Sequence, residues 1–237
     1  MTERPILFSA PMVRAILEGR KTQTRRILNP QPPGDQHRSL RDVVWGDDAQ
    51  KLAARSDRSQ HAWAGFDDDR TNPAIAAYYH CPYGQPGDRL YVRESFSGPH
   101  EWQTIPPAGW GWDTGTRPPI WYWADGNPEH GDWTRPKPSI HMPRWASRIL
   151  LEITDVRVQR VQDISEEDAR AEGVLWVPGH GEITPADLHE GYSNYLDCRQ
   201  GFWALWDSIN AKRGYGWNAN PWVWCLTFKR VEDGNHA

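Results

Sequence analysis

Residues 149–173, ILLEITDVRVQRVQDISEEDARAEG, decide the fold class. In the first half Val156, Val158 and Arg160 alternate with Arg157, Gln159 and Val161, the period of a strand with one buried face. The period then changes. Ser165 is placed as a helix N-cap with Asp168 three residues on, acidic residues fill the first turn and Gly173 ends it, which predicts a helix over 166–172. Upstream, residues 85–94 (QPGDRLYVRE) read as a Pro-Gly-Asp turn and a strand that puts Leu90 and Val92 on one face. Glu94 falls on that apolar face, where a buried carboxylate needs a partner, unless it marks a frayed strand end. Downstream, Phe202, Leu205, Trp206 and Ile209 recur at helical spacing over 202–210, and residues 222–231 read as a closing strand.

The N-terminal part supplies a strand at 6–9, a helix at 11–18 with Val13, Ile16 and Leu17 on one face, and an extended run to Leu28. Residues 29–80 are rich in Pro, Gly, Asp, Arg and Gln with weak periodicity, and little regular structure is expected there. Residues 97–139 are dominated by Trp, Pro, Gly and Asp, with a short strand at 120–124. Strands outnumber helices and do not alternate with them, which excludes a doubly wound sheet. The expectation is α+β: one domain over 1–237, a small, mostly antiparallel β-barrel with flanking helices and two long insertions, at about 29–80 and 97–139.

The chain has 237 residues and a net charge of -4, so bulk electrostatics do not make it a nucleic-acid coat. Cys81, Cys198 and Cys225 are an odd number without a CxxC pair, which argues against a disulfide framework and a Cys-rich zinc site and fits a reducing compartment. His80, His141, His180 and His189 are too scattered for a metal site, so neither a metal nor a cofactor is expected. No apolar run approaches the roughly 20 residues needed to cross a bilayer. The N-terminus lacks a signal-peptide layout, so the reading is a cytoplasmic protein without a membrane partner. Fifteen tryptophans are unusual and fit a core, surface anchors or stacking platforms for bases. Nothing indicates an oligomeric state.

Residues 19–26, GRKTQTRR, follow the first helix directly. Lys21 and Thr24 are a potential base and nucleophile, but on an ideal strand their odd spacing points them to opposite faces. A turn or bulge at 21–23 is needed to bring them together. The bland reading of Lys21 is a solvated lysine at a helix C-terminus, and Thr22 serves as an internal control for Thr24.

ILEGRKTQTRR (16–26), PGDRLYVRE and DISEEDARAEG together resemble the ASCH domain family, a branch of the PUA-like fold. SIHMPRWASRI (139–149) and NPWVW (220–224) resemble blocks of its long, tryptophan-rich members from phages and prophages. The resemblance covers both ends and the middle of the chain, not the insertions, and implies a β-barrel with flanking helices. Some small bacterial members are amidohydrolases of N4-acetylcytidine that use a lysine, a threonine and a glutamate. By this resemblance the catalytic set is Lys21, Thr24 and Glu172, with Glu166 and Glu167 as rivals for the last position. Candidates for holding substrate are Arg26, Arg93, Glu94, Arg144 and Trp145.

The chemistry needs a neutral lysine, whose ordinary pKa is about 10.4, so burial or the charges of Arg20, Arg25 and Arg26 must lower it. The partner is then a modified nucleoside. Two rival readings stay open: a binding module for RNA or a modified base, with Arg144, Trp145 and Arg148 offering phosphate and stacking contacts, and a ribonuclease.

Overall fold

The computed structural model describes residues 1–32, 40–44, 63–66, 77–110, 117–176, 192–193 and 197–231; His180 and His189 lie outside them. The centre is an antiparallel pair, β9 (Leu150–Arg160) against β12 (Trp222–Val231), with a register shift at Thr227/Phe228. Around it a five-stranded sheet is ordered β1 (Glu3–Leu7), β6 (Arg89–Arg93), β9, β12, β2 (Gln23–Ile27). All its pairs are antiparallel except β1 with β6. The fold is α+β, with few helices and a mostly antiparallel sheet.

The alternation along β12 explains why this pair is central. Trp222, Trp224, Leu226 and Phe228 face one core with Val156 and Val158, while Val223 and Cys225 face a second. Helix α1 (Ala10–Leu17) closes the first core with Val13 and Ile16. Helix α2 (Glu166–Ala171) and helix α3 (Cys198–Asn210) close the second through Ala169, Phe202 and Trp206. A strand buried on both faces is the most constrained element a sheet offers.

Several sequence expectations shift. The first strand begins at Glu3, because it pairs with β6 from there, and ends at Leu7 since Ser9 already stands at the N-cap of α1. Helix α3 starts at Cys198, not 202: the Asp197 side chain accepts the Gln200 N–H, a cap that sets the first turn despite Gly201. The strand expected at 120–124 shortens to β8 (Trp121–Tyr122), paired with β7 (Phe96–Ser97).

The expectation of little regular structure at 29–80 is corrected. A three-stranded antiparallel meander, β3 (Leu40–Val44), β4 (Trp63–Phe66) and β5 (Ala77–His80), occupies it. Strands of four or five residues are too short to display a period, and only their aromatic and β-branched content marks them. A two-stranded parallel pair, β10 (Leu175–Trp176) with β11 (Tyr192–Ser193), completes the strands among the described residues.

The described tryptophans divide between core and surface, with Trp203 exposed. Trp110, Trp206, Trp222 and Trp224 are buried, and the second insertion packs through Trp110 against Phe96, Met142 and Ala146 at its flanks. Cys81, Cys198 and Cys225 are free and buried. Among the described residues no helix is long and apolar enough to cross a membrane.

Candidate active site

The site is made where three chain ends meet. After α1, Gly19 takes a positive φ of 74°, and the Arg20 and Lys21 N–H groups both donate to Ala15 O at 2.9 Å, wrapping the chain back on its helix. Thr22 N–H then donates to Ala171 O, and Phe228 N–H donates to Thr22 O, which clamps the segment between the exit of α2 and strand β12. Lys21 forms an isolated antiparallel bridge with Glu172, the C-cap residue of α2. Gly173 permits this approach. Its φ is +90°, and a Cβ there would stand 3.1 Å from Ala15 Cβ and 3.2 Å from Lys21 Cβ.

Lys21 is therefore no solvated helix-end lysine: it is 2% exposed. Its Nζ donates to Glu172 Oε2 at 2.6 Å and to Glu172 O at 2.8 Å, with the Phe8 ring centroid 5.7 Å away. The other carboxylate oxygen, Oε1, accepts from Arg25 Nη1 at 3.1 Å. Arg25 also donates to Gln23 Oε1 and to Asp168 Oδ2, both at 2.7 Å. Glu172 is thus held by two buried cations on opposite oxygens.

Burial lowers the Lys21 pKa; the Glu172 carboxylate opposes this, and Arg26 and Arg25 add to the lowering. Arg20, the third arginine expected to act on Lys21, instead pairs with Glu18 and donates to Gly173 O. Burial also tends to raise the Asp168 pKa, but Arg25, Arg157 and Gln23 outweigh it and hold Asp168 below its usual 3.8. Cys225, opposite Arg25 in the ladder, is pushed by burial up to about 12, so its thiol is no nucleophile at neutral pH.

Thr24 is buried on β2, and among the described residues its hydroxyl makes no hydrogen bond. It shares with Glu172 the wall of a cavity of about 500 Å³. A second cavity of about 350 Å³ adjoins it, since Met12, Arg26, Glu172, Leu205 and Ile209 line both. Lys21 lines neither. The expected meeting of Lys21 and Thr24 is not made directly: among the described residues no hydrogen bond joins them, and Glu172 is the residue that touches the lysine and shares the cavity wall with Thr24. Thr22, by contrast, is exposed.

The rivals for the acid are accounted for. Glu166 accepts from the Cys198 and Arg199 N–H groups at 3.0 and 3.2 Å, anchoring the start of α3, and Glu167 is exposed. Of the substrate-holding candidates, Arg26 lines both cavities, donating to Leu7 O at 2.7 Å with its guanidinium 5.0 Å from the Phe8 ring centroid. The others line neither cavity. Arg93 bonds to Ile140 O and to Tyr91 Oη. Glu94 is 1% exposed and paired with Arg148, which also bridges to Asp125. Arg144 pairs with Glu3, and Trp145 packs in the second insertion's cluster under Arg117.

The motif reading did not include Tyr83, Asn210, Arg213 and Tyr215, which line the larger cavity. They come from a loop and from the exit of α3, where no local period marks them. The chain matches no family model, no curated protein and no solved structure.

Proposed function

We propose that the protein is an amidohydrolase that removes the acyl group from N4-acylcytidine-type nucleosides, with Thr24 as nucleophile, Lys21 as base and Glu172 as proton donor. The observation that supports it most is the buried Lys21–Glu172 pair directly behind a cavity wall that carries the unengaged hydroxyl of Thr24. We also propose that the curled sheet is a PUA-like barrel within one domain. Arg26 on β2 bonds to Leu7 O on β1, joining the sheet's two outer strands through a side chain.

In this scheme the proton of Lys21 crosses the 2.6 Å contact to Glu172 Oε2. The neutral amine turns to Thr24 and takes its proton as the hydroxyl oxygen attacks the acyl carbon. When the C–N4 bond breaks, protonated Glu172 delivers its proton to N4, so the base leaves as a neutral amine. Lys21 then holds the proton from Thr24. Water hydrolyses the threonyl ester and returns the hydroxyl, releasing the acyl group as a carboxylic acid. The scheme calls for no metal and no cofactor.

The rival reader of RNA would use Arg144, Trp145 and Arg148, but intramolecular partners occupy all three. The deciding experiment is release of cytidine from N4-acetylcytidine by the wild type, Lys21→Ala, Thr24→Ala and Thr22→Ala. Turnover lost in the first two and retained in the third supports the proposal. Folded wild-type protein that turns over neither this nor larger N4-acylcytidines overturns it, and loss of RNA binding in Arg144→Ala or Trp145→Ala would favour the reader.

A further inference from the structure

The larger cavity carries a charge imbalance that a neutral nucleoside does not use. Its wall holds three guanidinium groups, Arg25, Arg26 and Arg213, against one carboxylate, Glu172. Arg25 is neutralised by Asp168 and Glu172. Arg26 donates to Leu7 O and lies over the Phe8 ring, with Glu172 and Tyr83 as electrostatic neighbours, whereas Arg213 makes no hydrogen bond or ion pair among the described residues. A cation such as Arg213 without a hydrogen bond or ion pair on a concave wall attracts an anion, and a guanidinium matches phosphate in a bidentate way.

The positions set the ligand's length. Phe202 lies beside Arg25 at the catalytic end, with its ring centroid 5.6 Å from the guanidinium. Asn210, at the exit of α3, is eight residues on, about 12 Å along the axis at 1.5 Å per residue. Arg213 follows in the next turn, lines the same cavity and is exposed. That span suits one nucleotide, and the cavity volume of about 500 Å³ suits a single small ligand. Tyr83 lines the same cavity and feels both cations: burial raises its pKa while Arg26 and Arg213 pull it down. Lys212, next to Arg213 and equally exposed, does not line the cavity, so the placement of Arg213 is not shared by every basic residue at that helix end.

We propose that the substrate is an N4-acylcytidine 5′-monophosphate, with Arg213 binding the phosphate at the far end of the cavity while Thr24 and Glu172 face the acyl amide. This rests on the amidohydrolase reading for the chemistry, though the phosphate site itself does not. The bonds made and broken are those of the proposed hydrolysis, and the products are cytidine 5′-monophosphate and a carboxylic acid.

The test separates the two claims by measuring product binding first. Calorimetric titration compares cytidine with cytidine 5′-monophosphate on the wild type, Arg213→Gln and Lys212→Gln. The expected result is binding of the monophosphate about tenfold or more tighter than cytidine, an advantage lost in Arg213→Gln, kept in Lys212→Gln and weakened by salt. Equal binding of the two, no measurable binding of the monophosphate, or a preference that survives Arg213→Gln overturns the proposal. So does a short cytidine oligonucleotide that binds far more tightly than the mononucleotide. Kinetics on N4-acetylcytidine and its 5′-monophosphate then read the same ratio in kcat/KM. Phosphate-dependent binding without turnover of either compound would sink the amidohydrolase reading and leave the phosphate site standing.

Discussion

Lys21 Nζ lies 2.6 Å from Glu172 Oε2 although 151 residues separate the two in the chain. Both side chains are almost fully buried, and the opposite carboxylate oxygen is taken by Arg25. Such a pair is weak evidence of net stability, because desolvating both ions offsets most of their attraction. Its chemical consequence is more definite: a lysine and a carboxylate in short contact form a path for a proton.

Glu172→Gln is expected to abolish amide hydrolysis and to destabilise the fold, since it leaves Lys21 and Arg25 buried around a neutral amide. Breaking a buried pair costs about 3–5 kcal/mol. Glu167→Gln, on the exposed side of α2, is expected to leave both activity and stability unchanged. Denaturant titration beside the kinetic assay checks this; equal loss in the two variants would contradict the assignment of Glu172.

The pH profile should report Lys21. Its pKa is lowered from 10.5, chiefly by burial, and the scheme draws its first proton from Lys21, so kcat/KM should fall on an alkaline limb that lies below 10.5. Arg26 contributes to that lowering. Arg26→Gln removes a positive charge, lets Lys21 hold its proton to higher pH and is expected to move the limb upward. A limb that stays in place, or moves down, would rule out Lys21 as the titrating base.

Asp168 gives a separate signature in stability. Its folded pKa is below 3.8, so as pH falls through 3.8 the unfolded chain takes up a proton before the native one does. The contribution of Asp168 is therefore full above 3.8 and is lost as pH falls through the lower folded value. Thermal melts of Asp168→Asn should start from a lower Tm at neutral pH and fall less steeply on acidification than the wild type.

Gly173→Ala tests the approach of the chain ends. A Cβ at φ +90° is strained and meets both Ala15 and Lys21 at close range. Activity and Tm should both fall, the Tm by about 2–4 °C for each kcal/mol lost. Gly214, also at positive φ but with open space around it, is the comparison: Gly214→Ala carries the backbone strain without the contact. A loss in Gly173→Ala no larger than in Gly214→Ala would mean that the close approach has no role.

The core strands were readable because each carries a pattern stronger than its surroundings. Val156 and Val158 alternate cleanly, and Ser165 caps α2 through the Asp168 N–H as its position suggests. Glu94 was legible as a carboxylate needing a partner, yet nothing near it in sequence named Arg148, 54 residues away. The short strands of the first insertion were not legible, since four residues cannot show a period of two above noise.

The sequence by itself determined the α+β class with the order of the main-sheet strands and the three helices, the helix ends at Gly19 and Gly173, and the presence of Lys21, Thr24 and Glu172 as chemically capable groups, because capping and periodicity are local effects. Only the tertiary structure decided which of these groups meet. The Lys21–Glu172 contact depends on α1, α2 and β12 packing together. The cavity beside Thr24 also depends on α3, whose Phe202, Leu205, Trp206 and Ile209 line it, and Arg213 joins it only from the turn beyond that helix. Contacts between residues far apart in the chain are set by how buried faces fit together, and no short stretch of sequence encodes that fit.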